Sequence, residues 1–295
     1  VTTPATPART PSAQQSGHPS ARGRSTSLSF GGVLVSELIK LWTLRSTVWC
    51  CAIVVALAFG IGLLVAGFSG SPSATIPDAG QQAQAVFDST IGINFGQLVL
   101  SVLGVLVISG EYGTGMIRST LAAVPKRIPA LLGKAIVLGV TSIALGLVTI
   151  YGTALLQLPF LSNVGIHTNF ADPKLHLALL GGAAYLALVA LMSFGIGAII
   201  RNSAGGIATA LGLLLVLPTV FQILAALTHA TWVQNVAEFL PTMAGGHLFA
   251  YASGASTTTT AGVVSLNATT GGLVLVAWAV VAIAVASVLL RRRDA

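Results

Sequence analysis

Six apolar runs divide this 295-residue chain, at roughly 48–68, 89–109, 135–156, 177–200, 205–227 and 271–290. Each holds about 20 residues or more, enough at about 1.5 Å of rise per residue to cross a hydrocarbon core about 30 Å thick. The expectation is an all-α integral membrane protein with six transmembrane helices. Charge then orients them. With the N-terminus placed in the cytoplasm, thirteen of the 14 Lys and Arg residues fall in inner segments, and only Lys174 falls outside. The acids divide the other way, with Glu37, Glu111 and Asp294 inside and Asp78, Asp88, Asp172 and Glu238 outside. By the positive-inside rule both ends lie in the cytoplasm.

Composition agrees with that placement. The chain is 54% hydrophobic and 7% charged, where a soluble domain would carry about 25% charged residues. A pI near 10.0 could point to nucleic acid. Here the basic residues flank spans instead of forming one stripe, so the surplus reads as topology plus attraction to anionic lipid, with no nucleic-acid partner. Cys50 and Cys51 are adjacent, a spacing poorly suited to a disulfide, and read as apolar filler. The histidines are scattered without a pair at metal-ligand spacing, so no metal is expected.

Residues 1–29 are rich in Pro, Ser, Thr, Ala and Arg and read as a disordered cytoplasmic tail. A six-span domain follows, over 30–293. The first run is too long for a cleaved signal peptide, whose apolar region runs about 7–15 residues. Before it, "FGGVLVSELIKLWTLRS" has Val33, Leu34, Leu38, Leu41 and Trp42 at helical spacing, while Glu37, Lys40 and Arg45 avoid that face. This predicts an amphipathic helix in the inner headgroup layer, anchored by Trp42.

The outer loops are expected at 69–88, 157–176 and 228–270. Pro159 and Pro173 should stop helices in the second. In the third, Trp232, Val233, Val236, Phe239 and Leu240 share a face, and Pro241 and Gly245–Gly246 break the path. Two short helices dipping into the outer leaflet are predicted there. Ala58, Gly62 and Ala66 give the first span a small-residue face suited to close packing. Pro218 should kink the fifth span.

No run holds an Asp, Glu, Lys or Arg well inside its apolar region. Each such group would cost roughly 2.5–3.5 kcal/mol on insertion scales, and transporters driven by ion gradients keep them. Their absence argues against a proton relay, a voltage sensor or an intramembrane enzyme. The chain has no His-Glu-x-x-His, no Gly-x-Ser-x-Gly and no phosphate-binding loop. It is expected to be no enzyme and to bind no cofactor, so energy for uphill transport would enter through another subunit.

The inner segment after the second span, "SGEYGTGMIRSTLAAVPKR", is the one suited to receive it. Gly110, Gly113 and Gly115 should interrupt the helix as it leaves the membrane. Thr114 would cap a short new helix ended by Pro125, with Ile117, Leu121 and Val124 in a stripe and Arg118 off it. On physical grounds this is either a lever against a soluble partner or a headgroup-level connector.

"SELIKLWTLRSTVW" resembles the segment that leads into the first span in permease subunits of type-2 ATP-binding-cassette transporters. "GVLVISGEYGTGMIRSTLAAVPKR", residues 104–127, resembles their second-span exit and coupling helix more closely, and "FLPTMAGG" does so weakly. The resemblance covers about 30–293 and is specific only in those stretches. It implies six spans with both ends inside, a re-entrant outer helical pair between spans five and six, a second permease subunit, identical or related, and separate ATPase subunits that bind the ATP. Carried over, Glu111, Tyr112, Gly113 and Thr114 would shape the exit, and Ile117, Arg118 and Leu121 would face the ATPase. Glu37 and Lys40 would match the charged positions of the lead-in helix. The implied function is that of the membrane-spanning subunit of an exporter in a bacterial inner membrane, working by alternating access. An aromatic content of 6%, without an evident aromatic track, departs from polysaccharide exporters. The rival readings are a non-transporting membrane anchor or assembly protein, and a secondary transporter or channel.

Overall fold

The structure, a computed structural model, describes residues 30–68, 77–116, 127–252 and 262–293. Among them every regular element is helical. A lead-in helix α1 (Phe30–Thr43) turns at Leu44 into α2 (Arg45–Phe68). Helices α3 (Asp78–Thr90) and α4 (Ile93–Thr114) follow, then α5 (Arg127–Leu156) and the short α6 (Leu158–Asn163). After α7 (Pro173–Ile200), α8 (Ser203–Leu211), a π-helical turn (Gly212–Val216) and α9 (Leu217–Thr228) form one path. Two short helices, α10 (Thr231–Glu238) and α11 (Pro241–Gly246), lead through a 3-10 turn (His247–Phe249) towards α12 (Ala268–Arg293). Six stretches are long and apolar enough to cross a membrane, the architecture of a multi-pass membrane protein.

Local chemistry sets the boundaries. Asp172 caps α7, its carboxylate accepting from the Lys174 N–H at 2.9 Å, and Pro173 takes the first position, where no N–H is needed. Asn202 caps α8 by accepting from the Gly205 N–H at 2.9 Å. Arg201 (φ 58°) and His229 (φ 50°) end α7 and α9 in the left-handed conformation.

Helix α7 is the centre, packed against α4, α5 and α12. In the α4–α7 contact a Cβ on Gly104 would lie 2.3 Å from the Ala190 carbonyl oxygen, so the backbones approach as only glycine permits. Polar pairs cross the same seam: Ser193 donates to Ser101 at 3.0 Å, and the Tyr185 hydroxyl donates to Gln97. Helix α2 buries Thr47, Val54, Ala58, Gly62 and Ala66, which includes the small-residue face read from its sequence.

Several boundaries differ from expectation. The loop placed at 69–88 is helical from Asp78. Gln82 holds α3 down, donating to the His167 carbonyl at 3.1 Å and accepting from the Asn169 N–H at 3.1 Å. Helix α5 begins at Arg127, well before 135, so Lys134 belongs to a helix and not to a loop. Pro159 and Pro173 open α6 and α7 instead of stopping helices, because a first-turn proline costs no hydrogen bond. Of the face proposed for 232–240, Val233 and Leu240 are buried, while Trp232, Val236 and Phe239 are exposed.

The break near Pro218 is a π-turn. Proline withholds the N–H that a regular helix would direct at the Leu214 carbonyl, and the Thr242 hydroxyl of α11 donates to that oxygen at 2.9 Å.

Candidate functional site: a buried ion cluster at the basic end

The helix ends that carry Lys40, Lys134, Arg201 and Arg291 lie together, and four charges meet there. Helix α1 presents Glu37 and Lys40 three residues apart, hence on one face. It can cross α5 closely because the position before Lys134 is Gly133; a Cβ there would be 3.1 Å from Val33. That approach sets Glu37 against Lys134, and Glu111 arrives from the last turn of α4. Lys134 Nζ lies 2.5 Å from Glu37 Oε2 and 2.8 Å from Glu111 Oε1. Lys40 Nζ lies 2.9 Å from Glu37 Oε1 and 3.5 Å from Glu111 Oε1.

Two cations thus balance two carboxylates. Glu37, Glu111 and Lys134 are buried; Lys40 reaches the surface, its side chain 35% exposed. Burial of one such charge alone would cost several kcal/mol, and the cluster persists because each charge has partners of opposite sign. Burial would push the Glu37 carboxyl up, yet Lys134 and Lys40 hold it below its ordinary value. Burial would likewise lower Lys40, and the Glu37 and Glu111 carboxylates overcome that to hold it above. Glu111 Oε2 accepts no hydrogen bond from the described residues. Chemically the cluster is a neutral clamp that fixes α1 to the exits of two spans.

The expected face of α1 is divided, and Glu37 joins its inward part. Its inward face is Val33, Glu37 and Leu41, while Leu38 and Trp42 are exposed. Ion pairing makes Glu37 an inward group, which hydrophobic spacing alone cannot reveal. Helix α4 also runs through Gly110 and Gly113 without interruption and stops at Gly115 (φ 73°). Thr114 is its last residue and donates back to the Gly110 carbonyl at 2.9 Å; the short helix it was expected to cap runs into residues that are not described. Tyr112 receives the Arg201 guanidinium 5.1 Å from its ring centre, and Ser109 lies 2.9 Å from Ser203, so the α7–α8 turn joins the same end. The stripe Ile117, Leu121 and Val124, with Arg118 and Pro125, lies outside the described residues, as does the tail 1–29.

Lys134 is the member that sequence reading missed. The available signal was a lysine next to glycine at the mouth of an apolar run, with an acid, Glu111, at matching depth in the preceding span. At the opposite end, polar groups close the bundle. Gln157 donates to the Ala85 carbonyl and to Ser89, both at 2.8 Å, and buried Asp88 accepts from Gln84 at 2.8 Å. The Tyr251 hydroxyl donates to Asp172 at 2.5 Å. With the Lys174 N–H it holds Asp172 below its ordinary value, and the same bond pushes Tyr251 up to about 12.

No protein-family model matches the chain, and no curated protein matches it.

Proposed function

We propose that this chain is the membrane-spanning permease subunit of an ATP-driven exporter of the type-2 ATP-binding-cassette class. It would pair with a second permease, identical or related, and be driven by separate ATPase subunits that bind the ATP. The observation that carries the reading is the ion cluster. It clamps the lead-in helix to Glu111 in the stretch whose sequence resembles the second-span exit of such permeases, immediately before the 114–123 segment assigned to coupling. A clamp of this kind lets a push on that segment move α1, α4 and α5 as one body. The layout of α10 and α11 between the fifth and sixth spans supports the same reading, with both chain ends in the cytoplasm of a bacterial inner membrane and this pair re-entrant from the other side.

Arg118, Ile117 and Leu121 form the contact with the ATPase, while Glu111, Lys40 and Glu37 transmit its movement and Trp42 anchors α1 in lipid. No covalent chemistry is assigned to this chain. The test is purification of the full chain from its native membrane in mild detergent. A nucleotide-binding ATPase should accompany it, and substrate flux in liposomes should require both proteins and ATP. Flux catalysed by the chain alone without nucleotide, or an ATPase-free complex, would overturn the proposal; the second outcome would favour an anchor or assembly role.

A further inference from the structure

Helix α4 has 22 residues and spans about 33 Å, enough to cross the hydrocarbon core alone. Helix α3, which precedes it, therefore stands at headgroup level, at the end opposite the ion cluster. It is seated against α2, α5 and α7. The side chains that tie it there are neutral amides. Gln82 bonds to the backbone of His167 and Asn169, and Gln157, just past α5, donates to Ala85 and Ser89. One ionisable side chain is enclosed in the seat: Asp88 is 0% exposed. Gly62 lets α2 close against it, since a Cβ there would meet Thr153 and lie 3.1 Å from the Asp88 carbonyl oxygen.

The carboxyl is poorly provided for as an anion. Oδ1 accepts from Gln84 at 2.8 Å, and Oδ2 accepts no hydrogen bond from the described residues. An ionised carboxylate has room for about four donors and is costly to bury without a cation. Glu37 and Glu111 have their lysines; among the described residues Asp88 has none. The charged or titratable groups at this end of α3, α5 and α7 are Asp78, Tyr151, His167, Asp172, Lys174 and His176, and α2 has none there. None of them hydrogen-bonds to Asp88 or stands among the charges that act on it. Gln84 serves either form of the acid: its nitrogen donates to a carboxylate, and its oxygen accepts from a carboxylic acid.

We infer that Asp88 is a proton-operated catch: with its carboxyl neutral α3 stays seated against α2 and α5, and ionisation draws the group towards water and loosens α3. The inference is independent of the permease reading. Burial pushes Asp88 up to about 6, and the Gln84 hydrogen bond opposes that only in part. The seated value lies above the ordinary 3.8, so the seat is tightest below 3.8 and weakens as pH rises through about 6. The bonds of Gln82 and Gln157 do not titrate in this range, which leaves the proton on Asp88 to set how firmly α3 is held.

The test is hydrogen–deuterium exchange of the full chain in mild detergent, read by mass spectrometry on peptides from α3 and corrected for the intrinsic rate at each pH. Protection of α3 should fall about tenfold from about pH 5 to about pH 7.5, while protection of α7 holds. Asp88→Asn is neutral at every pH and of the same size, and should keep α3 protected at both. Gln84→Leu removes the donor that favours the anion and should move the midpoint to higher pH. Protection of α3 that ignores pH in the parent would overturn the catch. An unchanged fall in Asp88→Asn would overturn the assignment to Asp88 and pass it to His167. If Asp88→Asn does not fold, Gln84→Leu at its half-buried position decides: a midpoint that stays or drops overturns the proposal.

Discussion

Lys134 and Glu37 sit 97 positions apart and meet at 2.5 Å, the closest contact of the buried cluster. Replacing Lys134 with Met removes the buried cation that lies closer to both carboxylates, leaving only the partly exposed Lys40 beside them. It should destabilise the folded protein by about 3–5 kcal/mol, the usual cost of leaving a buried charge without its partner. Thermal or denaturant unfolding in detergent measures this. In a cycle with Glu37→Gln, the double variant should lose less than the sum of the single variants. Simple additivity would mean that the pair does not interact.

The same cluster sets a pH window. Glu37 is held below its ordinary value of 4.5, so its contribution is complete above that pH and disappears as pH falls through the lowered folded value. Lys40 is raised above 10.5, so its contribution is complete below that pH and is lost as pH rises through the raised value. The contribution of these two groups to the melting temperature should therefore be flat between these limits and fall outside both. Glu37→Gln should make the acid limb shallower, and an unchanged acid limb would contradict the assignment.

Thr242 caps a carbonyl that Pro218 leaves without its regular donor. Thr242→Val keeps the shape and removes the hydroxyl, at a cost of about 1 kcal/mol, whereas Thr242→Ser should be close to neutral. Equal melting temperatures for the Val and Ser variants would show that the bond contributes nothing.

Two glycines of one helix should respond in opposite ways. Gly104→Ala forces a methyl group against the Ala190 carbonyl and should cost about 1–3 kcal/mol through overpacking. Gly110→Ala enters open space and should gain about 0.5–1 kcal/mol from helix propensity. The comparison needs only the melting temperatures of the two variants.

What the sequence makes legible follows from how far each force reaches. Hydrophobic length is local, so all six spans are readable, and so is the face of α2 at Ala58, Gly62 and Ala66. Boundaries set by distant partners are not. The α3 helix depends on Gln82 meeting His167 and Asn169, and the early start of α5 places Lys134 opposite residues far away in the chain. The site was half legible. Glu37, Lys40 and Glu111 stood out as charged positions, but their common partner read as a topology signal. The inward turn of Glu37 follows from pairing between helices, which spacing along one helix does not encode.

The central place of α7 bears on how the protein is made. Of its apolar window 67% is buried, against 17% in α2 and in the α8–α9 path. It is the fourth span to leave the ribosome, so α4 and α5 must wait in the bilayer with their α7-facing surfaces, including Gly104 and Gly146, still uncovered. A nascent chain arrested before residue 173 would present those surfaces to membrane quality control.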